Sequence, residues 1–259
     1  MRRLSGRRGA VAVLVGLVGI AVVTPALGQR YLSGIIWPQP PVVTPGENNG
    51  PPSDAVVLFD GKSFDAWHSA RGWKVDDDGG FTAKGVLQSK QSFGDCQLHL
   101  EFASPKPARG REQGRGNNGV GLMGGRYEIQ VLDSYDNPTY PEGSAGSVYN
   151  QRPPMVNASR KPGEWQTYDI IFTAPRFKDG KLAKPGYVTI LHNGVVVQNH
   201  TEILGYTFYD RENVYSPHPD KAPLVLMYHG DPVRFRNIWI REIKEPVGKP
   251  GGKKGPENK

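Results

Sequence analysis

Glu128 and Gln130 stand two apart in Gly125-Arg126-Tyr127-Glu128-Ile129-Gln130-Val131-Leu132-Asp133, alternating with the apolar Tyr127, Ile129 and Val131. Successive side chains of a strand point to opposite faces, so the carboxylate and the amide share one face and the apolar residues take the other. A carboxylate beside a carboxamide can accept hydrogen bonds from sugar hydroxyls and donate to them. The carboxylate could instead act as a general acid or base. A solvent-facing polar stripe on a half-buried strand has the same pattern, so this segment alone leaves both readings open. Glycines on its N-terminal side, through Gly116-Asn117-Asn118-Gly119, let the backbone approach a ligand closely, and Asp133 falls where the strand should end.

The elements that must carry these groups read as strands. Leu98, Leu100 and Phe102 alternate with Gln97, His99 and Glu101, and Tyr168, Ile170 and Phe172 share one side of Thr167 to Ala174. Tyr187 to Leu191, then His192-Asn193-Gly194, then Val195 to Val197 predicts a hairpin with a type I′ turn, because Asn-Gly tolerates two positive backbone angles. Val56 to Phe59, Trp73 to Val75 and Val86 to Ser89 are shorter strand candidates, and Val233 to Ile243 is long enough to cross a sheet. Beyond the N-terminal apolar run no helical period is sustained, which argues against an α/β nucleotide fold. The expected architecture is all-β, a two-sheet antiparallel jelly-roll sandwich. Ser134 to Ala145, Asn150 to Gly163 and Thr207 to Ala222 are long irregular segments rich in Tyr, Pro and Asn, the kind that bears binding sites on a rigid scaffold.

The ends bound the class. Arg2, Arg3, Arg7 and Arg8 precede an apolar run from Ala10 to Val23 and then Ala26-Leu27-Gly28, the pattern of a cleaved secretory signal over residues 1–28. The run is shorter than the roughly 20 residues that span a bilayer, so export to the periplasm or beyond is expected, with no stable membrane insertion after cleavage. Residues 29–54 read as a Pro/Gly-rich linker, 55–245 as one domain and 246–259 as a flexible basic tail. The formal charge of +7 lies in the four N-terminal arginines and the lysines from 249 onward, leaving residues 29–248 neutral and implying no nucleic-acid face. With Cys96 as the only cysteine there is no internal disulfide, and a buried thiol is the expected state.

In this order, Leu58-Phe59-Asp60-Gly61-Lys62 with Trp67, the Gly-Asn-x-Gly-Val and Gly-Arg-Tyr-Glu-Ile-Gln-Val-Leu-Asp-Ser stretches, Gly146-Ser147-Val148-Tyr149, Gly163-Glu164-Trp165, His229-Gly230 and Phe235-Arg236-Asn237-Ile238-Trp239-Ile240 make a set. From about Val56 to Ile243 the chain resembles the 3-keto-disaccharide hydrolase domain family. One departure is Met227, where that family often carries glutamine two residues before the histidine. The resemblance implies a concanavalin A-like lectin/glucanase fold and a substrate that is a 3-keto-glycoside or 3-keto-disaccharide. Such a substrate would be cleaved by proton abstraction next to the ketone and elimination or hydrolysis of the glycosidic bond, and for that path we choose Glu128 as base, His229 as acid or enolate-side donor, and Asp133 as a hydrogen-bonding or metal-binding partner. Gln130, Asn117, Tyr149, Tyr135, Arg236 and Glu101 are the substrate-binding candidates.

Bland readings stand beside these. His229 fits a turn histidine, Asp133 fits turn chemistry ahead of Asn137-Pro138, Arg236 fits a structural ion pair, and Glu101 with His99 fits plain solvation. Trp165 reads as core, since Tyr168 and Ile170 continue its strand, and Tyr140 joins Tyr135 as a loop platform for a sugar. No cofactor is required; a divalent metal ion is the one that Glu128, Asp133 and His229 would suit, although their spacing does not demand it. The alternative function is a non-catalytic, lectin-like carbohydrate-binding module. A conventional glucanase is disfavoured, because Gln130 stands where a second carboxylate would be expected.

Overall fold

The computed structural model describes residues 33–251. The expected signal segment (residues 1–28), residues 29–32 of the expected linker and residues 252–259 of the expected tail lie outside these. Strands β1 (Ile35–Ile36), β2 (Val56–Phe59), β3 (Trp67–His68), β4 (Phe81–Thr82), β5 (Leu87–Phe93) and β6 (Cys96–Ala103) come first. They are followed by β7 (Asn118–Leu122), β8 (Tyr127–Val131), β9 (Gln166–Thr173), β10 (Arg176–Lys178) and β11 (Lys181–Lys184). The last are β12 (Tyr187–His192), β13 (Val195–Glu202), β14 (Ala222–Leu226), β15 (Arg234–Glu242) and β16 (Lys249–Pro250). The only helices among the described residues are two single 3-10 turns, Glu112–Gly114 and Pro141–Gly143, and none is long and apolar enough to cross a membrane.

Residues 40–245 form one compact unit. Its seven-stranded sheet runs β13-β12-β9-β6-β15-β2 with β4 beside β15, and its five-stranded sheet runs β3-β5-β14-β7-β8, every pair antiparallel. A single core joins the inner faces, with Leu98, Leu100, Phe102, Tyr168 and Ile170 from one sheet and Val120, Ile129, Leu224 and Leu226 from the other. The all-β sandwich is therefore the fold, and period-two alternation is what dictates it. Strand β9 alternates buried and accessible residues along its length. The terminal segments form a separate unit, in which β1 pairs antiparallel with β16.

Asn193 and Gly194 have φ of 53° and 78°, and His192 faces Val195 across the turn, as a type I′ hairpin requires. Trp73 to Val75 is not a strand. Trp73 instead packs its ring on Phe64 and Phe81 at 6.0 and 5.6 Å between centroids, so its apolar character serves an aromatic cluster and not a ladder. Trp165 is not core either: it is half-buried under the guanidinium groups of Arg234 and Arg236, 5.0 and 4.2 Å from its ring. Cys96 is buried, and desolvation raises its thiol pKa to about 12, so it behaves as a small hydrophobe.

Candidate functional site

Strand β8 is buried at all five positions, which sets it apart from the alternating β9. Tyr127, Ile129 and Val131 enter the core; Glu128 and Gln130 point to the outer face and are covered by loops. The backbone there is fixed on both sides. Gly119 and Gly121 of β7 face Gln130 and Glu128 in register. On the other edge Gln130 N–H donates to Ser147 O at 3.0 Å, while Gly146 and Tyr149 N–H donate to Gln130 O and Glu128 O. An edge strand has become an interior one, which holds both side chains to a rigid frame.

Gly119 has a steric reason to be glycine. A Cβ built there would lie 2.3 Å from Glu128 Oε1 and 2.9 Å from its Cδ, so the carboxylate occupies the space that a side chain would fill.

Over this floor lies a cleft of about 360 Å³, lined by Asn117, Glu128, Gln130, Tyr149, His229 and the loop 207–211. His229 Nε2 and Glu128 Oε1 are 3.0 Å apart. Glu128 is nearly buried and His229 is partly open to the cleft. The hydrogen bond to Glu128 is the main influence on the His229 pKa and raises it, outweighing the opposing effect of burial. The pair therefore favours the protonated form of His229. Gln130 Nε2 donates to Gln113 Oε1 at 2.9 Å and to Asn117 Oδ1 at 3.2 Å, which leaves the buried Gln130 Oε1 as an acceptor without a partner. Tyr149 and Tyr140 join their hydroxyls at 2.6 Å along one wall.

Five of the nine residues singled out from the sequence thus converge: Glu128, His229, Gln130, Asn117 and Tyr149. The others do not. Asp133 is buried, its Oδ2 taking the Nε–H of Arg115 at 2.7 Å, and it lines a neighbouring cavity. Arg115 also donates to the Tyr135 carbonyl at 2.7 Å, and the Tyr135 ring is not part of the cleft wall. Glu101 and Arg236 belong to β6 and β15 of the seven-stranded sheet, on the opposite outer face of the sandwich, and bind each other at 2.6 Å. Alternation correctly set their face relative to their own core, but a strand's face does not say which sheet bears it. The proposed metal set fails on the same geometry: Asp133 is spent on Arg115, and no group of three or more acidic, histidine or cysteine side chains among the described residues is arranged to hold an ion.

The loop Thr207-Phe208-Tyr209-Asp210-Arg211 supplies a wall that residue-by-residue reading missed. Its signal was the long irregular segment beginning at Thr207. Thr207 Oγ1 accepts from Glu128 N–H at 3.2 Å and the loop backbone bonds Arg126 O, tethering it over β8. Arg211 lies 4.8 Å over the Phe208 ring, and Tyr209 is 80% exposed.

A crystal structure of a candidate glycosyl hydrolase from Parabacteroides distasonis ATCC 8503 is 47% identical to this chain with a TM-score of 0.77, covering 85% of this chain and 99% of that one. Two more from the same organism, at 22% and 18% identity and TM-scores of 0.52 and 0.51, share the fold over 73% and 74% of this chain and 99% and 94% of theirs. No curated protein matches this sequence. The family model of the 3-keto-alpha-glucoside-1,2-lyase-like domain matches residues 54–241, which takes in both sheets and every wall of the cleft. The chain belongs to that family, as a carbohydrate-active domain.

Proposed function

We propose that the cleft cleaves a 3-keto-glycoside by elimination, with Glu128 as base and His229 as the donor to developing negative charge. The observation that carries this reading is the Glu128–His229 pair at 3.0 Å, on a strand hydrogen-bonded along both edges, in a cleft wide enough for a sugar ring. A ketone at C3 makes the proton on C2 acidic. Glu128 takes that proton, the C–H electron pair becomes the C2=C3 bond, and the charge moves to the ketone oxygen. Because His229 Nε2–H is pinned to Glu128, its Nδ1–H is the donor left to meet that oxygen when the ring is protonated.

Collapse of the enolate restores the ketone, forms C1=C2 and breaks the C1–O bond. The departing oxygen takes up one proton, equal to the one Glu128 removed, so the carboxylate is regenerated and no cofactor is consumed. Later addition of water to C1 would give the products of hydrolysis. Gln130 forms part of the floor beneath the sugar, and Asn117 and Tyr149 hold the ring from the cleft walls. We place this activity outside the cytoplasm, on the strength of the arginine-flanked apolar run at the N-terminus.

The test is release of 4-nitrophenolate from its 3-keto-glucoside, with the ultraviolet absorbance of the conjugated C1=C2 product followed in parallel. Deuterium at C2 should slow release, and Glu128→Gln should remove it. Protein that binds unoxidised glycans but releases nothing from the 3-keto substrate would be a carbohydrate-binding module instead.

A further inference from the structure

Between Pro105 and Arg115 the chain carries Lys106, Arg109, Arg111 and Arg115 against the single acid Glu112, inside a region that is neutral overall. Three of these cations, Lys106, Arg109 and Arg115, line a second cavity of about 270 Å³ together with Asp133 and Asp231. This cavity abuts the catalytic cleft. Asn117 stands in the cleft wall, and its backbone N–H donates to Asp231 Oδ2 at 2.7 Å; His229 and Asp231 are likewise two residues apart.

The charges in the cavity are unevenly spent. Asp133 is 1% exposed and closed off by Arg115 at 2.7 Å, and Asp231 is engaged by Asn117. Lys106 and Arg109 are exposed on the rim and form no ion pair with any described residue. A group entering from the cleft therefore meets Asp133 already paired with Arg115, Asp231 hydrogen-bonded to a backbone amide, and two free cations that outnumber the one uncompensated acid. An arginine fork and a lysine ammonium suit an oxyanion, and a half-enclosed rim screens them less than open solvent does.

We propose that this cavity is the leaving-group subsite and that it selects 3-keto-glycosides whose departing moiety carries an oxyanion, such as a carboxylate or a sulfate ester, with Lys106 and Arg109 as its specificity-determining residues. The proposal rests on the elimination reading for its placement, while the anion preference itself is a property of binding. The net charge of such a substrate is negative although the ring bound over Glu128 is neutral. Neutralising charge on the rim also keeps the anion away from the Glu128 carboxylate.

The experiment compares 3-keto-glucosides of 4-carboxyphenol and 4-sulfooxyphenol with the isosteric neutral 4-carbamoylphenyl compound, as ratios of kcat/KM. The wild type should favour the anionic compounds by about 5-fold at low salt. In 1 M salt, and in the Lys106→Ala/Arg109→Ala double variant, the ratio should fall to about one, and Arg109→Glu should bring it below one. The two anionic arms show whether carboxylate or sulfate is the better fit. A wild-type ratio near one, or a preference that survives the double substitution, overturns the proposal. Calorimetric titration with the unoxidised 4-carboxyphenyl and 4-carbamoylphenyl glucosides reads the same ratio as dissociation constants. An anion preference there without turnover would thus refute the elimination reading and leave the subsite standing.

Discussion

The two outer faces of the sandwich each bear a nearly buried glutamate, Glu128 at 6% exposure on β8 and Glu101 at 7% on β6, each alternating with core residues. Only their partners differ. Glu101 receives Arg236 Nε–H at 2.6 Å and Asn237 Nδ2–H at 3.0 Å. Beside it His99 is held by Asp169 at 2.7 Å and stacked on Trp239 at 5.2 Å. Burial is the largest single influence on Glu101 and would raise its pKa, but the nearby His99 imidazole at 3.9 Å and the hydrogen bonds from Asn237 and Arg236 together hold it at about 2. The Glu101 carboxylate is thus engaged at both oxygens, although His99 and Asp169 beside it line a cavity of their own. Among the described residues the Glu128 carboxylate has one side-chain partner, His229, itself open to the cleft. A buried polar group whose bonds are all made inside the protein holds structure together. One whose bonds are left open at a cavity wall is the better candidate for a ligand.

Reciprocal substitutions break this comparison if it is wrong. Glu128→Gln should cost about 10³-fold in kcat on a 3-keto-glucoside, within the range for loss of a general base, and leave the thermal midpoint almost unmoved. Glu101→Gln should do the opposite. It strands Arg236 against Trp165 without its anion; since the arginine is a third exposed, the loss is screened to about 2 kcal/mol, or roughly 6 °C in Tm for a domain of this size. The kcat per folded molecule should be unchanged. Activity loss in the Glu101 variant at full stability would mean that the outer face of the seven-stranded sheet takes part in the reaction.

Gly119→Ala sharpens the same contrast, because it changes the position of Glu128 and not its chemistry. The added methyl must push the carboxylate aside, and a displacement of the order of 1 Å costs up to about 10²-fold in rate. The atoms it meets end a flexible side chain, so the fold should tolerate it. Circular dichroism melting beside steady-state kinetics checks both halves. A variant with normal kcat would show that the Glu128 position on the sheet is not what the reaction uses.

Much of the fold is legible in the chain because one sheet face is wet along β9 and β12, which writes the period-two pattern into the sequence. The Glu128 and Gln130 pair is legible from the same alternation of polar and apolar residue types, although loops bury both side chains. What cannot be read is how faces are distributed between sheets. β6 pairs with β15 and β9, not with the β7–β8 hairpin that follows it, so Glu101 and Arg236 land on the far side of the core from Glu128. Nor does local sequence show that Arg115 will take Asp133 across 18 residues, or that Thr207 will be tied to Glu128 across 79. Long-range contacts such as these build the cleft walls, and the strands supply only its floor.

The smallest effect concerns the pH dependence of the cluster around Glu101. Burial is the largest influence on His99 and lowers its pKa, yet the hydrogen bond to Asp169 and the Glu101 carboxylate 3.9 Å away outweigh it and lift the value to about 8 from an ordinary 6.5. A group whose pKa is raised on folding adds stability that is fully present below the unfolded value and is lost as pH rises through the folded one. The window is therefore pH 6.5 to about 8, and its depth is on the order of 1–2 kcal/mol. Across it the Tm of the wild type should fall by a few degrees, and that of His99→Gln should fall less. His229 is also raised, so kcat should decline on the alkaline side as the imidazolium is lost, and this decline should persist in His99→Gln. If the alkaline losses of activity and of stability both vanish with His99, the two faces are coupled, and the division between a structural glutamate and a catalytic one falls with them.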